Sequence, residues 1–217
     1  MFLSRIFTLY PEYFPGYLNK GLFGKAMNEK IWNLETVNIR DYTFDKHKTV
    51  DDTPYGGGSG MIIKADVLAK SLDENIKEKE KIIYLSPKGK LFDHKYAKEL
   101  STEKTLNLIC GHFEGIDERI IQNRNIEEVS IGDFVLSGGE VATFVVLDAI
   151  LRFIPGVLGN ENSTQDESFE NGLLEYPQYT KPQNWEDKSV PDVLLSGDHA
   201  KIKDWRLSQS EAITRDR

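Results

Sequence analysis

The sequence has 217 residues, of which 39% are hydrophobic and 11% aromatic, enough to bury one substantial core and a small appendage. Its net charge of −8 disfavours broad, non-specific binding of nucleic acid but leaves room for a local basic face. No run approaches the ~18 apolar residues of a membrane span, and the first residues lack the pattern of a signal peptide. We therefore expect a cytoplasmic protein that has no membrane partner.

Strand-like and helix-like segments alternate along the chain. The apolar patterns predict strands at residues 2–9, 34–39, 82–85, 106–110 and 129–131. They predict helices at residues 17–32, 65–80, 93–100, 116–123 and 141–154. This alternation predicts an α/β fold in which helices cover a parallel sheet.

Three loops rich in glycine or proline follow predicted strands, at residues 86–89, 111–115 and 132–139. Because the carboxyl ends of parallel strands lie along one edge of a sheet, we expect these loops to converge there. The third loop runs through residues 130–140, SIGDFVLSGGE, into the most apolar helical segment of the chain. Glycines let backbone groups approach a ligand closely, so the sequence predicts a pocket for a neutral or mildly polar nucleoside.

Two other features favour structural interpretations. Residues 56–60, GGGSG, are followed by Met61 and not by the lysine and hydroxyl residue of a nucleotide phosphate loop, which favours a mobile loop or a tight chain crossing. Cys110 is the only cysteine, so the chain has no internal disulfide, and the four histidines show no metal-ligand spacing. The place of Cys110 at the end of an apolar strand favours buried packing over a nucleophilic role.

The last third of the chain has a different composition. Residues 157–192 are rich in Asn, Gly and Pro and are interpreted as a linker, followed by a weakly amphipathic helix at residues 202–213. The acids Asp166 and Glu167 lie in this linker, where charged side chains are ordinarily solvated.

Arg152 has two interpretations of equal weight. It lies four residues after Asp148 on an apolar helix, which is the spacing of an ion pair on one helix face. The alternative is that the guanidinium binds a substrate.

Five motifs, taken together and in order, resemble one family. They are DDTPYGGGSGM at residues 51–61, YLSP at 84–87, CGHFEGIDER at 110–119, SIGDFVLSGGE at 130–140 and RFIPGVLG at 152–159. The chain resembles the bacterial tRNA (guanine-N1)-methyltransferases of the TrmD family, within the SPOUT class, from the first strand to about Gln209.

The resemblance implies a sheet with a C-terminal deep trefoil knot, within residues 82–153, and a small helical C-terminal domain. It implies a methyltransferase domain at residues 1–156, a linker at 157–192 and a tRNA-binding lobe at 193–217. It further implies a homodimer with sites at the subunit boundary, S-adenosyl-L-methionine as methyl donor, and an activity for which Mg²⁺ is a candidate cofactor. The substrate would be N1 of the guanosine immediately 3′ of the tRNA anticodon.

The resemblance also implies roles for particular residues. Glu167 stands where the family has an aspartate that removes the N1 proton, with Asp166 as the alternative base and Arg152 stabilising charge on the guanine. Lys201, Lys203 and Arg206 would contact the anticodon stem. The donor would be held by Tyr84, Leu85, Ser86, Pro87, Gly111, Glu114, Gly115, Ile131, Gly132, Asp133, Phe134, Val135, Leu136, Ser137, Gly138 and Gly139.

Two alternatives belong to other classes of function. The glutamate at position 167 and the acidic net charge fit a nucleoside-binding or RNA-binding module whose catalysis has weakened. A knotted methyltransferase acting on ribosomal RNA is the other alternative, which the linker and small lobe disfavour.

Overall fold

The computed structural model describes residues 1–77, 79–159 and 167–217. By its internal contacts the chain divides into two compact units, Met1–Gly159 and Asn160–Arg217. Asp166, the alternative base, lies outside the described residues.

The first unit is built on a five-stranded parallel sheet in the order β2-β1-β6-β5-β7. Its strands are β1 Phe2–Thr8, β2 Trp32–Asn38, β5 Lys81–Leu91, β6 Thr105–Ile109 and β7 Glu127–Ser130. Two short strands, β3 Asp51–Asp52 and β4 Ile62–Ile63, form a separate antiparallel pair. The predicted parallel sheet is confirmed.

Helices cover both faces of this sheet. They are α1 Gly21–Asn28, α2 Ala65–Asn75, α3 His94–Leu100, α4 Glu118–Asn123 and α5 Gly139–Leu151, with 3-10 helices at Pro11–Tyr13, Gly16–Asn19 and Ile39–Tyr42. Successive side chains of a strand point to opposite faces, so Leu108 packs in a cluster with Leu147 of α5 and Ile109 in a second cluster with Leu68 of α2. Two hydrophobic layers therefore hold the carboxyl edge of the sheet in place.

The predicted helix at residues 17–32 is wrong in extent. Gly21 has φ +56° and Lys30 has φ +59°, so the backbone leaves the right-handed helical region on both sides of α1. Trp32, predicted as the end of the helix, is instead the fully buried first residue of β2. Likewise α2 ends at Asn75 rather than at residue 80.

Residues 86–89 belong to β5 rather than to a turn after it. Leu85 and Lys90 both pair with Val129 of β7, so the residues between them bulge out of the ladder. Gly89 is required there, because a Cβ at this position would lie 2.2 Å from the Val129 nitrogen. The strand thus continues past a loop that projects from the carboxyl edge of the sheet.

The second unit contains a hairpin and two helices. The hairpin pairs β8 Asn184–Trp185 with β9 Lys188–Ser189, and α6 Asp192–Leu195 is followed by α7 His199–Asp216. The Asp198 carboxylate accepts hydrogen bonds from the amides of Ala200 and Lys201 and so caps α7. The predicted helix at residues 202–213 is confirmed and is longer at both ends. In the described part of the chain, no helix combines the length and apolarity that a membrane crossing requires.

Candidate functional site

A concave pocket of about 310 Å³ opens at the carboxyl edge of the sheet in the first unit. All three predicted loops line it, together with the ends of β5 and β7 and the first residues of α5. The expected convergence of these loops is therefore observed. Of the residues predicted to hold a methyl donor, every one lines the pocket except Asp133.

Tyr84 fills the space beneath two glycines of the loop at residues 111–115, which we call the pocket loop. A Cβ at Gly111 would lie 2.7 Å from the Tyr84 ring, and one at Gly115 would lie 3.0 Å from its hydroxyl oxygen. Burial, with a smaller effect from the charge of Glu128, raises the pKa of Tyr84 to about 12. The phenol is therefore neutral near pH 7 and supports the loop by packing.

The loop at residues 111–115 is joined directly to the start of α5. The Gly139 amide donates to the Gly111 carbonyl at 2.9 Å, and a Cβ at Gly139 would lie 2.6 Å from the Cys110 Cα. His112 is hydrogen bonded through Nε2 to Glu140 at 2.8 Å. Only glycine at position 139 permits the two chain segments to lie this close.

Cys110 is fully buried beneath this junction. Its thiol is within hydrogen-bonding distance of the Thr143 hydroxyl, and burial, followed by the nearby charge of Glu140, raises the pKa of the thiol. The interpretation of Cys110 as a packing residue is confirmed.

Residues 53–60 form an exposed loop beside the pocket. Gly56, Gly57, Gly58 and Gly60 all have positive φ. The loop is anchored where the Glu114 amide donates to the Met61 carbonyl at 2.9 Å. It is therefore tied to the pocket loop, while Tyr55 at its tip is fully exposed.

Arg152 lies at the opposite end of α5 from the pocket. It directly follows this 13-residue helix, so a rise of 1.5 Å per residue places it about 20 Å along the axis from Gly139. Asp148, its predicted ion-pair partner, accepts a hydrogen bond from the Tyr17 hydroxyl at 2.9 Å. Arg152 is not one of the residues that line the pocket of its own chain.

Glu167 lies at the start of a compact turn in the second unit. The Phe169 amide donates to the Leu173 carbonyl at 2.7 Å, and the Ser168 hydroxyl accepts from the Glu175 amide at 2.9 Å. Phe169 and Gly172 both have positive φ, which closes the turn. The carboxylate is thus carried by a locally ordered backbone.

The three cations predicted to contact RNA are all exposed on α7. Lys201 pairs with Asp198 at 3.2 Å, and the Arg206 guanidinium lies 4.7 Å from the centre of the Tyr176 ring. Both cations are held locally at the surface of the second unit.

His112 and Phe113 also line the pocket; they lie in a loop that was predicted to do so but were not among the residues predicted to hold the donor. Glu140 does not line the pocket but is hydrogen bonded to His112, which does. The sequence contained a sign of this role, because a carboxylate in the first turn of the most apolar helix requires a partner when it is buried. Among the described residues, no group of three or more His, Cys, Asp or Glu side chains could hold a metal ion.

The fold and the site define a class: an α/β protein with a glycine-containing pocket at the carboxyl edge of a parallel sheet. The family model described as "tRNA (Guanine-1)-methyltransferase TrmD" matches residues 2–217, and the chain belongs to that family.

Relatives named "tRNA (guanine-N(1)-)-methyltransferase" align over nearly the whole chain. One from Pelagibacter ubique (strain HTCC1062) is 74% identical over 215 residues, which are 99% of this chain and 94% of the relative. One from Bartonella tribocorum is 55% identical over 100% of this chain and 93% of the relative. One from Brucella canis is 51% identical over 100% of this chain and 88% of the relative.

Proposed function

We propose that the chain is a tRNA (guanine-N1)-methyltransferase that uses S-adenosyl-L-methionine and modifies the guanosine immediately 3′ of the anticodon. The observation that carries the proposal is the coincidence of the family match with the pocket: the motif residues of three separate segments line one cavity. Because the proposed substrate is tRNA, we propose that the enzyme acts in the cytoplasm.

The pocket fits a nucleoside-containing donor. Its volume of about 310 Å³ lies in the range of small-molecule sites, and both glycines and apolar residues line it. At Gly111, Gly132 and Gly138 a Cβ would meet Tyr84, Phe134 or His112, so the cavity depends on glycines. When bound, S-adenosyl-L-methionine supplies an electrophilic methyl group.

The residues of this chain supply a proton acceptor and a positive charge. N1 of guanine carries a proton that has to leave for the product to be neutral, and the Glu167 carboxylate is the base that we assign to it. The Arg152 guanidinium stabilises the negative charge that develops on the guanine as the proton leaves. The alternative base, Asp166, is tested by the same experiment as Glu167.

The distance of Arg152 from the pocket supports a homodimeric site. About 20 Å of α5 separates Arg152 from Gly139, which is too far for both to contact one guanine in the same chain. Val141 and Val145 lie on one face of this helix and are 60% and 47% exposed. This exposed apolar face is suited to contact with a second copy of the chain. We place Arg152 of one chain beside the pocket of its partner.

Mixing two inactive variants tests this arrangement. An Arg152→Ala chain keeps its pocket, and a Gly111→Val chain, whose new side chain would run into Tyr84, keeps its arginine. In a two-fold dimer that exchanges subunits freely, about a quarter of all sites would be native, and activity should return to about that level. Activity no greater than the sum of the two parents, with exchange verified by differently tagged chains, would reject the shared site.

We also infer that the chain carries the knot within residues 82–153. The tight approaches of Gly89 to Val129 and of Gly139 to Cys110 support a closely threaded segment. Removing the threaded end by truncation before α5 should abolish donor binding.

Transfer of a labelled methyl group to an anticodon stem-loop tests the activity. The stem-loop with guanosine 3′ of the anticodon should accept label, and the same stem-loop with adenosine there should not. Ribosomal RNA fragments serve as the competing substrate, and chelation of Mg²⁺ tests the predicted role of the ion. Donor binding without transfer to any RNA would instead favour a binding module, the alternative suggested by glutamate at position 167.

A further inference from the structure

A buried carboxylate joins three segments of the chain behind the pocket. Glu140, in the first turn of α5, is 4% exposed. Its Oε1 accepts a hydrogen bond from the Thr8 hydroxyl at 2.6 Å, at the end of β1. His112 Nε2, on the loop after β6, lies 2.9 Å from Oε1 and 2.8 Å from Oε2.

The direction of the His112 bond follows from the chemistry of the pair. An ionised carboxylate has only acceptor sites, so Nε2 carries the hydrogen and donates to both oxygens. The amino-terminal end of α5 adds a favourable dipole to the negative charge. Around the pair lie the Tyr10 ring, 5.0 Å from the imidazole centre, and the hydrogen-bonded side chains of Cys110 and Thr143.

The two partners of Glu140 differ in one respect. His112 lines the pocket, whereas Thr8 does not. A Cβ at Gly138 would lie 2.4 Å from His112 Cε1, so the imidazole is packed directly against the glycine pair that forms one pocket wall. His112 therefore sets the separation between the loop at residues 111–115 and the start of α5.

We propose that His112 is a positioning residue for the methyl donor, acting through its bond to Glu140, an inference that rests on the proposed function. Glu140 lies in the first turn of a helix that is packed in the core, and His112 transmits that fixed position to the loop. Loss of the imidazole leaves a buried carboxylate with one donor fewer, and the pocket loop keeps its backbone bond from Gly139 to Gly111 but loses its side-chain tie to α5. The donor then binds a wall that is no longer at the right distance.

Steady-state methyl transfer with His112→Ala, His112→Gln and Thr8→Val tests the proposal. His112→Ala should raise the KM for S-adenosyl-L-methionine about 10- to 100-fold, because a hydrogen bond to a charged group is lost. The KM for tRNA and kcat should stay within about twofold, since the lost contact acts equally on ground and transition states. His112→Gln, whose amide can donate to the carboxylate, should recover most of the loss.

Thr8→Val is the control, because it removes the other donor to Glu140, together with the acceptor of the Tyr10 amide, at a residue that does not line the pocket. It should lower the melting temperature but leave the donor KM within about twofold. Equal effects of Thr8→Val and His112→Ala on the donor KM would assign His112 a purely structural role and overturn the proposal.

The two hypotheses fail in different ways. If the native protein transfers methyl groups and His112→Ala, folded by its melting curve, keeps the native donor KM, the positioning role is wrong and the proposed function stands. If the native protein transfers none, the proposed function fails. Calorimetric titration with S-adenosyl-L-methionine then decides for His112: about 10-fold or more weaker binding in His112→Ala supports the role, and unchanged binding overturns it.

Discussion

The two units of the chain differ in how much of them is buried. Among the residues that the structure describes, the buried hydrophobic side chains all lie between Phe2 and Val157, in the first unit. In the described residues 167–217, Ser210 alone is buried. The first unit is held by two hydrophobic clusters, whereas the second is held by a capped helix, a short hairpin and exposed ring contacts such as Tyr179 with Trp205.

The division matches the two tasks of the proposed reaction. A donor pocket has to keep its walls at fixed distances, and its walls here are the ends of strands and a helix packed in the core. The proposed base, Glu167, is carried by the second unit, in whose described residues, 167–217, no apolar side chain is buried. Segments with few buried contacts are those that open and close at low cost, so we infer that the base is assembled late, when RNA is bound.

The largest expected effect divides catalysis from donor binding. Glu167→Ala should lower the rate of methyl transfer by about 100-fold or more, because the proton on N1 loses its acceptor. Its affinity for S-adenosyl-L-methionine, measured by calorimetry, should equal that of the native protein, because the pocket belongs to the other unit. Asp166→Ala is the matched control and should transfer at close to the native rate. Near-native transfer by Glu167→Ala would remove this residue as the base.

A substitution in the first unit should instead weaken donor binding. Gly139→Ala would place a Cβ 2.6 Å from the Cys110 Cα and 2.9 Å from the Gly111 nitrogen, so the pocket loop has to move. Donor affinity should fall about 10-fold or more and the melting temperature should fall with it. Gly159→Ala, whose Cβ would have no atom within 4 Å, is the control and should change neither. Native donor affinity in Gly139→Ala would show that the close approach does not shape the site.

Much of the first unit was predictable from sequence because its signals are local. The helix at residues 93–100 was predicted, and in the structure the Asp93 side chain caps α3 by accepting from the Tyr96 amide. The helix at residues 17–32 was predicted wrongly because apolar residues of α1 and of β2 follow one another across Lys30, where only the backbone conformation separates them. The pairing of His112 with Glu140 joins residues 28 apart in sequence, and no periodic pattern encodes such a contact.

The positions of the proposed catalytic residues were the least predictable. The sequence predicted that the start of α5 lies at the pocket. It did not indicate how Arg152, at the other end of this helix, reaches the substrate. Glu167 was identified only because it stands where the family has an aspartate, since an acid in a polar segment carries no physical signal of its own.

Hydrogen exchange should show the contrast between the units directly. Amides of α7 should exchange about 100-fold or more faster than those of α5, since α7 buries only Ser210 and α5 buries most of its length. Addition of a tRNA stem-loop together with a donor analogue should slow exchange at residues 167–175 more than in α5. Equal protection of the two helices in the free protein would contradict the inferred difference in stability.

The smallest expected effect is a pH-dependent loss of folding stability at Asp117, near the edge of the pocket. Asp117 caps α4, and its hydrogen bond from the Arg119 side chain, followed by one from the Arg119 amide, holds the pKa of its carboxyl below the usual value. Because the pKa is lower in the folded state, the stabilisation is present above the unfolded value of about 4 and is lost as the pH falls through the folded value. Asp117→Ala should therefore lower stability by about 1 kcal/mol at pH 7, and by less as the pH falls below about 4. Urea unfolding at pH 7 and pH 3 measures the difference, and a loss that is equal at both would show that the ionised carboxylate is not what stabilises this end of the helix.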